Sequence, residues 1–196
     1  MSKRGMMEND TIRECLVKPY LRSIEADPTG QFPLPKDINI PVEWHDQVQK
    51  VINTEGYKGG KWMYKSNVMG LMWPVWAYAF PDAKWVVVRR RTADVIKACK
   101  DTGYMTAFKS EENQRIVGAK NEDEGWLWWV HQYEQEWVKM ITEGLNVKVV
   151  WPQRMVYGDY VQLYELLDWV GLPWKSEVLS VVDSLLENSR LKERSI

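Results

Sequence analysis

The sequence predicts an α/β fold, a three-layer arrangement in which a parallel sheet carries helices on both faces. Three observations lead there. "KWVVVRR" (84–90) and "VKVVW" (147–151) are β-branched and apolar on both sides, as central parallel strands are. "KWMYK" (61–65) fits a further strand. Stretches with apolar residues at helical spacing separate these runs, so strand and helix alternate along the chain.

The elements follow in order. Residues 10–24 read as a helix capped by Asn9 or Asp10, with Ile12, Leu16, Tyr20 and Ile24 on one stripe and a kink at Pro19. Residues 26–41 hold four prolines and a glycine, which makes them a long ordered connection or arm. A short helix over about 43–53 stops before Gly56. "GYKGGKW" (56–62) is a turn, because a phosphate cradle must follow a strand and open a helix. After the 61–65 strand come a buried helix over 67–79, the 84–90 strand, and a helix from Thr92 to Lys100. The clearest helix is 123–143, where Trp126, Trp129, Val130, Tyr133, Trp137, Met140 and Ile141 share one face. Trp126, Trp129, Tyr133 and Trp137 should therefore be buried, and Trp128, off the stripe, more exposed. The 147–151 strand leads to a helix capped by Asp159, carrying Leu163, Leu166, Leu167 and Val170 and ended by Gly171 and Pro173. Ser176 opens a last helix.

Composition bounds the function. A chain of 196 residues with 45% apolar and 27% charged residues forms one globular domain, 1–196, rather than a disordered segment. A net charge of −1 gives no global field toward nucleic acid or a membrane, so any anion site is local. Cys15 and Cys99 need not pair, which fits a reduced, cytoplasmic setting. The start, "MSKRGMMEND", lacks the apolar core of a signal peptide, and the apolar run 68–80 is too short to span a bilayer. His45 and His131, with no carboxylate or cysteine spacing around them, suggest no metal site. Cys99 reads as a small helix-face residue.

Three arginines, Arg89, Arg90 and Arg91, end the 84–90 strand just before a helix begins. Parallel sheets bind ligands at the carboxyl ends of their strands, beside helix N-termini. That placement favours a phosphate or sulfate ligand. A solvated rim, paired with local carboxylates, explains the same spacing equally well. Alternation sends Arg89 and Arg90 to opposite faces, so at most one of the two points into a given pocket.

"FPDAKWVVVRRRTADVIKACKDTGYM" resembles the 3′-phosphate-binding segment of sulfotransferases, in which a strand ends in arginine and Asp-Val follows four and five positions later. Here that arginine is Arg90, followed by Asp94 and Val95. "KWMYKSN" stands where the family has a strand ending in Lys-Asp-Pro, and "VKVVWPQRMVYGDYVQLYELLDWVGLPW" resembles its late strand and Leu-Gly-Leu-Pro-Trp helix end. The upstream "KRGMMENDTIRECLVKPYLRSIEADPTGQFPLP" looks like the small phage-type members, which places such a protein in a host cytoplasm.

The resemblance implies a fold related to P-loop nucleoside triphosphate hydrolases and transfer of a sulfuryl group from 3′-phosphoadenylyl sulfate to a hydroxyl or amine acceptor. It makes Arg90 the ligand of the 3′-phosphate, in 3′-phosphoadenylyl sulfate or adenosine 3′,5′-bisphosphate, assisted by Arg89 or Arg91. Lys65 would neutralise the bridging oxygen, and Glu8 would deprotonate the acceptor. Solvated or helix-leading charges are the alternatives for both. Departures accompany the match. The family's first strand and its "Arg-Ser-Gly-Thr" phosphosulfate loop have no counterpart, its 3′-phosphate serine falls on Ala98, and Ser66-Asn67 replace Asp-Pro. Late basic residues, Arg190, Lys192 and Arg194, read as a tail or as further phosphate ligands.

Three readings stand: a sulfotransferase whose loop is supplied elsewhere, a non-catalytic anion-binding descendant, and a structural or interaction protein. A sheet without its central strand exposes edges, which favours a homo-oligomer or coverage by the 26–41 arm.

Overall fold

A computed structural model describes residues 8–177, so the helix expected from Ser176 and the basic residues 190–194 lie outside the described part. The protein is mixed α/β, mostly helical, around a two-stranded parallel sheet. The first helical region has three pieces: α1 (Asp10–Ile12), a π-helical turn (Arg13–Val17) and α2 (Lys18–Ser23). Asn9 caps it, its Oδ1 accepting the Ile12 N–H at 2.8 Å. The wide turn comes just before Pro19, whose missing N–H breaks the regular ladder.

The remaining α-helices among the described residues are α3 (Trp44–Thr54), α4 (Trp73–Ala79), α5 (Thr92–Asp101), α6 (Glu111–Ile116), α7 (Glu122–Thr142), α8 (Gln153–Val156) and α9 (Val161–Val170). The two strands, β1 (Trp85–Val88) and β2 (Val147–Val150), pair with Trp85 opposite Val147 and Val88 opposite Val150. The path from β1 to β2 runs through α5, α6 and α7, the long crossover that a parallel pair requires.

Two expectations need correction. Residues 61–65 form no strand. Their alternation is real, since Tyr64 is buried while Met63 and Lys65 are exposed, but the inward rings pack on and just after α4 instead of lying beside a strand. Tyr64 lies 4.9 Å from Trp76 and Trp62 lies 5.3 Å from Phe80, centroid to centroid. Among the described residues the sheet therefore has two strands where three or more were expected. The stretch 67–79 is also not one helix. A 3-10 turn (Val68–Gly70) precedes α4, which starts at Trp73 with Pro74 in its first turn.

The core has two centres. The larger gathers α1 to α4 with Trp44, Val48, Met72, Trp76 and Trp85, and the smaller surrounds Phe108 and Trp126. Helix α7 serves both, with Trp126, Val130, Tyr133 and Met140 buried. Trp129 and Trp137 are only half-buried, and Trp128, expected outside, is half-buried too because it packs against Phe108. Ile141, expected on the buried face, is exposed.

The Pro-rich arm is ordered by its own polar contacts. The Asp27 carboxylate accepts the N–H groups of Thr29 and Gln31 at 2.9 and 2.8 Å. Buried Gln31 then accepts the N–H groups of Thr106 and Ala107, both at 3.1 Å, tying the arm to the second core. Gly30, at φ +67°, offers its carbonyl to Trp129 Nε1 at 2.7 Å and to the Tyr133 hydroxyl at 3.3 Å. No described helix is long and apolar enough to cross a membrane.

Candidate functional site

The register of the sheet brings the carboxyl ends of both strands level, and the Arg89 N–H extends the pairing by one bond to the Val150 carbonyl at 2.8 Å. The chain then turns at Arg91, in extended conformation, directly into α5. Three arginines are thus fixed beside a ten-residue helix start whose first N–H groups have no carbonyl ahead of them.

The three arginines differ in what they touch. Arg89 shares the side of Trp85 and Val87 and turns inward to α7. Its Nη2 meets Glu134 Oε1 at 2.6 Å, and its guanidinium lies over Trp137 at 5.4 Å and Trp151 at 5.1 Å. Two indole faces and a carboxylate satisfy a cation at such a half-buried position.

Arg90 is exposed, with a contact of its own in the fold. It is close enough to α5 to act on Cys99: burial pushes that thiol up to about 11, and the Arg90 charge pulls against the rise.

Arg91 folds back on the first turn of α5. Its Nε donates to Asp94 Oδ2 at 2.8 Å. That same oxygen accepts Gln153 Nε2 at 2.8 Å, so buried Asp94 joins the start of α5 to α8. Ala98, one turn further along α5, is half-buried and offers its carbonyl to the Thr102 hydroxyl at 2.6 Å.

Glu8 and Lys65 belong to a different neighbourhood. Glu8 Oε2 pairs with Arg13 Nη1 at 3.2 Å. Both charges act on Tyr64, whose hydroxyl is pushed up to about 12, chiefly by burial. Ser66 lies near enough to oppose that rise, yet no well-formed hydrogen bond reaches the hydroxyl. Lys65 itself is exposed and makes no ion pair among the described residues.

Glu134, Trp137, Trp151 and Gln153 complete the arginine cluster without having been marked in the sequence. Trp137 was expected in the core stripe of α7, and Trp151 follows β2 directly. Glu134 carried no signal, because only the packing of α7 across the sheet brings it to Arg89.

An open groove lies elsewhere among the described residues. It offers about 750 Å³ between α2 and the 39–43 segment, lined by Tyr20, Pro41, Trp44, Gln47 and the exposed Cys15. Neither the arginines nor Glu8 or Lys65 line it. Among the described residues no group of three or more histidine, cysteine or carboxylate side chains could hold a metal ion.

No family model matches the chain, and no curated protein or solved structure is similar enough to count as a match.

Proposed function

We propose that the chain is a sulfotransferase-like protein whose strand-end arginines bind a 3′-phosphorylated adenosine nucleotide. The observation that supports this is the juxtaposition of two level parallel strand ends, Arg89 to Arg91, and the start of α5. In this reading Arg90 holds the 3′-phosphate with charged hydrogen bonds, and the first N–H groups of α5 add their dipoles. Arg89 and Arg91 stay tied to Glu134 and Asp94 beside it.

The residues fit the phosphate end of 3′-phosphoadenylyl sulfate better than its sulfate end. The lysine meant for the bridging oxygen, Lys65, sits on no strand, and the intended base, Glu8, is held by Arg13. Binding of adenosine 3′,5′-bisphosphate is therefore the primary expectation, with sulfuryl transfer weak or absent from this chain alone. The finer architecture of the family, a three-layer sheet with a phosphosulfate loop, belongs to the same proposal.

A second reading has its own observation. Because Glu134 and Asp94 already neutralise two arginines, the cluster also serves as an internal clamp joining β1, α5, α7 and α8. Titration calorimetry with adenosine 3′,5′-bisphosphate separates the two. Arg90→Ala should weaken binding at least tenfold, because a charged hydrogen bond contributes on the order of 1.5–3 kcal/mol. No binding by the unaltered protein would leave the clamp as the whole role of the cluster.

A further inference from the structure

The groups around Arg89 come from separate stretches of chain, and the sheet register sets the first of them. The Arg89 N–H bond to the Val150 carbonyl carries the parallel pairing one residue past Val88, which places Arg89 opposite Trp151. Residues paired in this way share a face of the sheet, so the guanidinium and the indole rise on the same side. Glu134 of α7 lies on that side too.

Helix geometry supplies the other walls. Glu134 and Trp137 are three residues apart on α7 and are therefore neighbours on its surface. The carboxylate meets Arg89 Nη2 at 2.6 Å, and the guanidinium carbon lies 5.4 Å from the Trp137 ring and 5.1 Å from the Trp151 ring.

Contacts that do not involve Arg89 hold these walls in place. A Cβ at Gly70 would come within 3.1 Å of Trp137 Nε1, so the turn before α4 backs that indole. Tyr133 flanks it at 6.3 Å, centroid to centroid. The Trp151 N–H donates to Gln162 Oε1 of α9 at 2.9 Å. Two lysines of the same elements are engaged with other carboxylates, Lys139 with Glu136 at 2.5 Å and Lys148 with Glu165 at 3.5 Å.

A planar cation suits such walls better than a compact one. A guanidinium offers flat faces to aromatic rings and N–H groups at its edge to a carboxylate, and it is weakly hydrated. An ammonium is a strongly hydrated point charge with no flat face.

We propose that Glu134, Trp137 and Trp151 form a preformed binding site for a planar guanidinium, with the chain's own Arg89 as its resident. The strand-end arginines then divide by role, because Arg89 is itself a held ligand. Its capture, together with its backbone bond to Val150, fixes the point from which Arg90 and Arg91 leave the sheet. The site is independent of nucleotide binding.

Removing the resident tests this. Arg89→Ala deletes, beyond Cβ, the atoms of an ethylguanidinium ion. The variant should melt at least about 4 °C lower, and ethylguanidinium chloride should restore about 3 °C at ten times its dissociation constant, in a saturable way. The unaltered protein, its site filled, should show no rise. Ethylammonium chloride and sodium chloride at equal concentration should not rescue the variant. Adding Trp151→Leu to Arg89→Ala should weaken the restoring affinity about fivefold, the worth of one half-buried cation–π contact. Arg89→Lys keeps the charge and should still melt at least about 2 °C below the unaltered protein, a comparison that holds even where the alanine variant does not fold. A folded alanine variant without rescue, equal rescue by ethylammonium, or rescue indifferent to Trp151 would overturn the proposal. So would an Arg89→Lys protein as stable as the original.

Discussion

Replacing Gly125 by alanine sets local helix preference against packing, and the structure fixes which wins. Gly125 lies in the first turns of α7, where alanine is favoured over glycine by about 1 kcal/mol in an isolated helix. A Cβ built there would lie 2.5, 2.7 and 2.8 Å from Phe108 Cγ, Cβ and Cδ1. Carbon atoms prefer about 3.5–4.0 Å, so the ring must retreat by about 1 Å. It has little room to do so. Phe108 is fully buried, with Trp126 edge-on at 4.8 Å and Phe32 at 5.9 Å. Overpacking of this kind costs about 3 kcal/mol, the upper end of its range, which leaves a net loss of about 2 kcal/mol. With a urea slope of about 2.5 kcal/mol per molar, the unfolding midpoint should fall by about 0.8 M with the slope unchanged. Gly103→Ala is the control, since its Cβ would meet nothing within 4 Å. There the same chemical change should stabilise by about 0.5–1 kcal/mol through the unfolded state. Equal signs for the two variants would refute the reasoning, because propensity alone would then govern both.

Two further outcomes follow from single side chains. Tyr64→Phe removes a buried hydroxyl that has no well-formed partner, and should raise stability by about 1 kcal/mol at neutral pH. Because folding raises the Tyr64 pKa from 10.0 to about 12, the folded form holds its proton longer, so stability falls as pH climbs from 10 toward 12. The variant should lose that part of the alkaline decline in urea midpoints measured at pH 8 and pH 11, and identical declines would refute the assignment. Gln31→Leu strands the buried N–H groups of Thr106 and Ala107, at a cost of about 2–3 kcal/mol. Thermal melts should show it, and a shift below about 2 °C would mean that other acceptors replace the amide.

What was legible in the sequence was whatever a short window encodes. The spacing of Trp126, Val130, Tyr133 and Met140 gave α7, and the β-branched runs gave both strands to within a few residues. The failed strand at 61–65 is instructive because its alternation is correct. Period two follows from an extended backbone, whereas pairing depends on a neighbour, and Trp62 and Tyr64 found aromatic partners on and just after α4. The arginine cluster divides in the same way. Arg91 to Asp94 is a local i,i+3 pair, readable in principle. Arg89 to Glu134 needs the packing of a distant helix, and no local pattern announces it.

That long-range pair decides how strongly the strand end attracts anions. Glu134 and Asp94 offset the charges of Arg89 and Arg91, so an incoming phosphate meets a field weaker than "RRR" suggests. Glu134→Gln keeps an acceptor for Arg89 and removes the opposing charge. For a charge about 6 Å from the phosphate at an effective dielectric of about 40, the repulsion removed is about 1.4 kcal/mol per unit of ligand charge. A dianion doubles this and physiological salt roughly halves it, so bisphosphate affinity should rise about tenfold, and more at low salt. Stability should change by about 1 kcal/mol or less, since the pair is only half-buried. Calorimetry at two salt concentrations reads both the gain and its screening. A protein that binds the bisphosphate with affinity unmoved by Glu134→Gln would place the anion away from β1, and would reduce the arginine cluster to its structural clamp.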